Sequence, residues 1–128
     1  MGNPAAKQGD NIVAVDNHNI LPPSGTNPVM TPLPFFGIID GGLSQNVNIM
    51  GLPAATVDST ASNTPPHISA PGTFVTPPQD KATIAQGSSS VNIGGKPAAR
   101  AGDPADTCND DGAPQGGTII ASGSVMIG

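Results

Sequence analysis

The sequence predicts an all-β fold of three hairpin repeats around a common axis, and three observations support this. Helix formers are scarce: all nine acidic residues are Asp, and Lys, Arg and Leu number three, one and four in 128 residues. Gly (17) and Pro (15) make up a quarter of the chain, yet only 10% of residues are charged and 36% are hydrophobic. That balance favours a turn-rich domain with a small core over a disordered chain. The third observation is a repeat, and it organises all the rest.

Pro4-Ala5-Ala6, Pro53-Ala54-Ala55 and Pro97-Ala98-Ala99 are three copies of one triplet, continuing as KQGD to Asp10, TVDS to Ser59 and RAGD to Asp103. Ahead of the second and third copies stand Val47-Asn48-Ile49 and Val91-Asn92-Ile93, and Val125-Met126-Ile127 lies at the end of the sequence. Before each Val-x-Ile comes an apolar pair and a glycine: Ile38-Ile39 to Gly42, Thr83-Ile84 to Gly87, and Ile119-Ile120 to Gly123. Strand, glycine turn, strand is a hairpin signature, so each pair is expected to fold back on its Val-x-Ile.

A single hairpin cannot bury its apolar face, so the three must pack together. In each Val-x-Ile strand the Val and Ile share one face, and Asn48, Asn92 and Met126 point the other way. Ile127-Gly128 followed by Met1-Gly2-Asn3-Pro4 reads like Ile93 to Pro97, with three repeats cut within one of them. The two ends are therefore expected within roughly 10 Å of each other, on the side of the molecule between base and tip. The proline-rich stretches from Ile20 to Phe36 and from Ile68 to Lys81 read as rigid flank loops that cover strand edges.

Composition also limits function. A net charge of −5 with one Arg offers no basic face for phosphates, so no nucleic-acid partner is expected. One Cys allows no internal disulfide. No apolar run approaches the ~20 residues that span a bilayer. The N-terminus lacks the basic and apolar regions of a secretory signal, which implies synthesis in the cytoplasm without a signal peptide.

Three strands converging on an axis leave a narrow end with little apolar surface, where a metal ion is a common remedy. The repeat places ligands there. His18 and His67 each lie 14 residues after a PAA proline, and Cys108 lies 11 after Pro97. A second His at the same repeat offset is unlike chance placement, so one soft ligand per repeat points to a shared site. Asp106 and Asp110, beside Cys108, read as loop residues rather than ligands.

The triplicated PAA, with GKPAARAGD from Gly95 to Asp103, the Val-x-Ile strands, the HISAPG and TCND loops and the ending SVMIG resemble the PAAR-repeat proteins. The resemblance runs over the whole chain and implies one PAAR domain over 1–128; members of the family can bear extra effector domains, but the repeats fill this sequence, so no fused effector is expected. It implies an all-β, pseudo-threefold cone that sits as a single chain on a trimeric β-helical spike, in type VI secretion or in extracellular phage-tail-like particles. It also implies one metal per chain near the apex, zinc with iron as the alternative, and His18, His67 and Cys108 match that pattern. A histidine usual in the family, soon after the second PAA copy, has no counterpart, since Asp58 to Asn63 holds neither imidazole nor thiol. The fourth position stays open among Asp, a backbone carbonyl, water or no ligand. Only the third PAA copy carries Arg, so Arg100 reads as a local hydrogen-bonding anchor.

The expected role is a structural one: a sharp, metal-stabilised tip that caps the spike and helps to pierce a target envelope, touching the membrane only transiently. Three similar repeats let one chain meet three identical subunits, one chain per trimer. The hairpin residues Val47, Ile49, Val91, Ile93, Val125 and Ile127 are the candidate spike-binding set. No catalytic residue is assigned. Two alternatives belong to other classes: a small metal-dependent hydrolase, which would need Asp as base because Glu is absent, and an adaptor that tethers effector cargo through the flank loops. Assembly into a particle and export or release on firing complete the expected life cycle.

Overall fold

The structure, a computed structural model, describes residues 2–110 and 116–128. Its strands, in chain order, are β1 (Asn3–Pro4), β2 (Asn11–Leu21), β3 (Val29–Gly41), β4 (Asn48–Ile49), β5 (Leu52–Pro53), β6 (Thr60–Asn63) and β7 (Thr73–Phe74). There follow β8 (Lys81–Ile84), β9 (Asn92–Ile93), β10 (Lys96–Pro97), β11 (Pro104–Asp106), β12 (Gly117–Ile120) and β13 (Met126–Ile127). The fold is all-β and three-fold in plan, as the repeat requires.

Three short hairpins form at one end. β4 pairs with β5 and β9 with β10, through Met50-Gly51 and Gly94-Gly95. All four turn residues have positive φ, between 53° and 85°, as a two-residue turn matched to strand twist demands. The third hairpin is closed by the two ends of the chain, with Asn3 opposite Ile127 and Pro4 opposite Met126. Met1 lies outside the described residues. The expected pairing is thus corrected in one respect: each Val-x-Ile strand folds onto the PAA strand that follows it, not onto the apolar pair before it. Gly2 and Gly128, accordingly, lie at the hairpin end rather than between base and tip, because the matching junction at Gly94-Gly95 is itself the hairpin turn.

The apolar pairs go instead into a barrel. β2, β3, β6, β8, β11 and β12 pair antiparallel in that order, and β12 closes back on β2. Within a repeat β2 pairs with β3, β6 with β8 and β11 with β12, so each repeat contributes two staves. Closure leaves no free edge around the barrel.

Between hairpins and barrel the three PAA segments meet. Ala6 N–H donates to Ala99 O (2.9 Å), Ala99 N–H to Ala55 O (3.1 Å) and Ala55 N–H to Ala6 O (3.0 Å), a closed ring of three hydrogen bonds. The three alanines are fully buried. Here the motif has its physical reason: the second Ala of each copy is fully buried where the three segments meet backbone to backbone, a crowded position that favours a small side chain. On the hairpin side Ala5, Ala54 and Ala98 pack with Ile49, Ile93 and Ile127. On the barrel side Ile39, Ile84 and Ile119 sit over the ring with Ile12, Ala61 and Ala105. Each fully buried isoleucine contributes about 1.5–3 kcal/mol, which explains how the core manages with Phe35 as its one aromatic ring.

After each triplet the chain makes the same turn. The backbone N–H groups of Lys7, Thr56 and Arg100 donate to the side chains of Asp10, Ser59 and Asp103. Arg100 clasps Asp103 through Nε (3.1 Å) and Nη2 (2.8 Å), and its guanidinium is held charged by that hydrogen bond. It is the local anchor expected, and Lys7 repeats the device with Asp10, at 3.2 Å, and Ser122 O, at 3.0 Å. In the same turn Gly9 (φ 90°), Asp58 (φ 75°) and Gly102 (φ 89°) are equivalent. Gly102→Ala is therefore expected to cost about 1–2 kcal/mol from its left-handed backbone alone, while Asp58→Gly should be neutral to slightly stabilising. Chemical denaturation of the two variants checks the pair.

One proline-rich stretch is not a loop. Between Ile20 and Phe36 the chain continues β2 to Leu21 and enters β3 at Val29, forming a long arm. Pro32 and Pro34 are tolerated because this half of β3 has β2 on one side only, β6 beginning opposite Gly37. The stretch from Ile68 to Lys81 does cover an edge, through β7 on the outer end of β2.

Candidate metal centre

The arm carries two members of the candidate site. Beyond Val13, where β12 ends its pairing, β2 runs on against β3, and alternation turns Asp16 and His18 inward while Val15 faces solvent. Asp16 and His18 are completely buried. His67 arrives from the segment after β6, its N–H donating to Asp80 Oδ1 (2.9 Å), which Asn63 Nδ2 also holds (3.0 Å). Cys108 lies just past β11. Its loop is stitched to β2 by Asn17 N–H to Asn109 Oδ1 (2.6 Å) and Asp110 N–H to Asn17 O (2.8 Å).

These anchors bring the three sequence-predicted ligands together. His18 Nε2 is 3.7 Å from Cys108 Sγ, and the two imidazole rings meet edge to face, with centroids 4.8 Å apart. Sequence reasoning missed the fourth member as an assigned residue. Asp16 Oδ2 lies 3.0 Å from His67 Nε2 and 3.2 Å from Cys108 Sγ. One ligand atom from each of Asp16, His18, His67 and Cys108 lies within 4.8 Å of every other. The sequence held only the position of Asp16, two residues before His18, which carries meaning once β2 is known to run through both. Asp106 and Asp110 are not in the cluster, and Asp110 instead reaches His18 Nδ1 at 3.2 Å.

The chemistry of this donor set fits a soft or borderline divalent metal. A tetrahedral site with bonds of ~2.0–2.3 Å has ligand edges of about 3.3–3.8 Å, and the short separations here fall close to that. Burial first, then the hydrogen bond and charge of Asp16, push the Cys108 thiol up to about 12. Phe74 packs on His18 and Phe35 on His67, which keeps the site in apolar surroundings. Cys108 is half-buried beside a surface depression of about 230 Å³ between Thr76–Gln79 and Thr107–Asp110, an entry path for an ion.

At the opposite end, Ile49, Ile93 and Ile127 are buried beneath their own hairpins, Val91 is half-buried, and Val47 and Val125 are exposed. Met50, Leu52 and Met126, absent from the sequence-predicted set, add to that exposed apolar surface.

A cluster of side chains able to hold a metal at one end, three near-equal hairpins at the other and a three-fold core between them define a class: a structural tip built to meet a three-fold partner. The chain belongs to the PAAR-motif family, whose model matches residues 36–110. That stretch holds the second and third PAA copies, His67 and Cys108, while His18 and the first copy lie outside it. No curated protein matches the chain. Membership assigns the spike-tip role in contractile injection systems, in association with a trimeric spike, in a family of structural proteins rather than enzymes.

Proposed function

We propose that the chain is a metal-stabilised point that sharpens the spike and helps it through the target envelope, one chain per trimer. Zinc, with iron as the alternative, is held at the tip by His18, His67 and Cys108. The hairpin end seats on the spike through Val47, Val91 and Val125, with Ile49, Ile93 and Ile127 as the layer beneath. The observation that carries this reading is the ring formed by Ala6, Ala55 and Ala99, with its three hairpins. A single chain thereby offers three nearly equal faces, the arrangement that matches one copy to three identical subunits. The tip is made in the cytoplasm, assembled into the particle and exported or released on firing. Separate cargo has the exposed flank around Val29, Met30, Phe36 and Ile68 on which to attach.

Native mass measurement of the complex with a trimeric spike should give one chain per three spike subunits. Three chains per trimer would refute the seating.

A further inference from the structure

Resting on the metal reading above, we infer that Asp16 is the fourth ligand, making an Asp-His-His-Cys centre closed by the protein alone, with Asp110 and Thr107 as its positioning residues. The second repeat carries no imidazole or thiol between Asp58 and Asn63. Asn63, at the end of that stretch, serves to hold Asp80 and through it the His67 backbone. The missing donor comes instead from the first repeat, where β2 is long enough to present two side chains, Asp16 and His18, to one site.

Three features single out Asp16 from the other acidic groups. It is completely buried, and among the described residues neither Lys nor Arg is an ion-pair partner of it. Its Oδ2 faces both His67 Nε2 and Cys108 Sγ, as one corner of a four-donor cluster must. Its other oxygen, Oδ1, accepts a hydrogen bond from Thr107 Oγ1, next to Cys108 in sequence, which fixes the carboxylate and leaves Oδ2 aimed inward. Asp110 does the same for the imidazole. Its Oδ1 meets His18 Nδ1 and its Oδ2 accepts from Asn19 N–H (2.8 Å), so Nε2 is the nitrogen turned to the cluster. Outer partners of this kind typically alter metal affinity 10–100-fold.

Two anionic donors make the centre neutral with a divalent ion, where a site of three imidazoles and one thiolate would keep a positive charge. A neutral, four-coordinate centre in apolar surroundings is a structural site with no open position for substrate.

The test uses cobalt(II) as the probe in the full chain, reading the ligand-field and thiolate charge-transfer bands together with affinity by titration. The wild-type protein should give intense tetrahedral bands. Asp16→Asn should weaken binding more than about 100-fold and change band position and intensity. Asp110→Asn should weaken it about 10–100-fold with the bands unmoved. Wild-type affinity and spectrum in Asp16→Asn would overturn the assignment. If that variant does not fold, Asp16→His decides: shifted cobalt bands support ligation at this position, and an unchanged spectrum refutes it. A wild-type chain that binds no cobalt, zinc or iron would instead overturn the metal reading itself.

Discussion

Cys108→Ala is expected to remove stoichiometric metal and to lower the melting temperature by roughly 10–20 °C. Structural zinc supplies ~10 kcal/mol or more of folding free energy in peptides that have no other core. This chain has one: the buried residues of the barrel core, around Ile12, Ile39, Ile84 and Ile119, are not ligands of the cluster, although Cys108 packs against its edge. The site therefore accounts for a smaller share, about 3–5 kcal/mol, concentrated on the arm and on the loops of His67 and Cys108. Metal analysis and thermal unfolding of one preparation measure both effects. Chelation of the wild-type protein should reproduce the shift, and the exposed control Val15→Ala should leave metal and stability unchanged. A variant that lost its metal but melted at the wild-type temperature would show that the centre does not stabilise the tip.

The second large effect is expected on the axis. Ala99→Leu adds three carbons to a methyl in the same core cluster as Ala6 and Ala55, all three fully buried and joined by the hydrogen-bonded ring. Overpacking a tight core costs about 1–3 kcal/mol even when neighbours can shift. Here they cannot shift without lengthening the ring bonds of 2.9–3.1 Å, so the upper end of that range is expected. Pseudo-symmetry supplies an internal control, because Ala6→Leu and Ala55→Leu should destabilise by similar amounts in urea unfolding. Met126→Leu, on the exposed face of β13, should be close to neutral. Marked inequality among the three ring variants would mean that the repeats are not equivalent at the axis.

Much of this molecule was legible in its residues because repetition is a property of sequence. Three PAA triplets in register imply three equivalent environments, and a small residue kept in each implies a crowded axis. The equal offset of His18 and His67 marked two candidate ligands, which the fold brings together with Cys108. Strand alternation correctly turned Asn48, Asn92 and Met126 outward.

What the tertiary structure alone decided is where the pattern breaks. The Val-x-Ile strand could fold back on the segment before it or the segment after it. Local glycine signals favoured the first, but the two-residue turns at Met50-Gly51 and Gly94-Gly95 and the closure of the barrel settled the second. Sequence periodicity could not name Asp16 either. Counted from the PAA proline, its offset is occupied by Pro65 and Asn109 in the other copies; counted from the ligand position, its third-copy counterpart is Asp106, which lies outside the cluster, so repetition does not mark it. Asp16 reaches the site only because β2 outruns its counterparts, 11 residues against 4 in β6 and 3 in β11, and a strand's length depends on the partners that pair with it. Local pattern thus determines which residues repeat and face inward, whereas long-range hydrogen bonding determines how far each copy extends and which of its side chains meet.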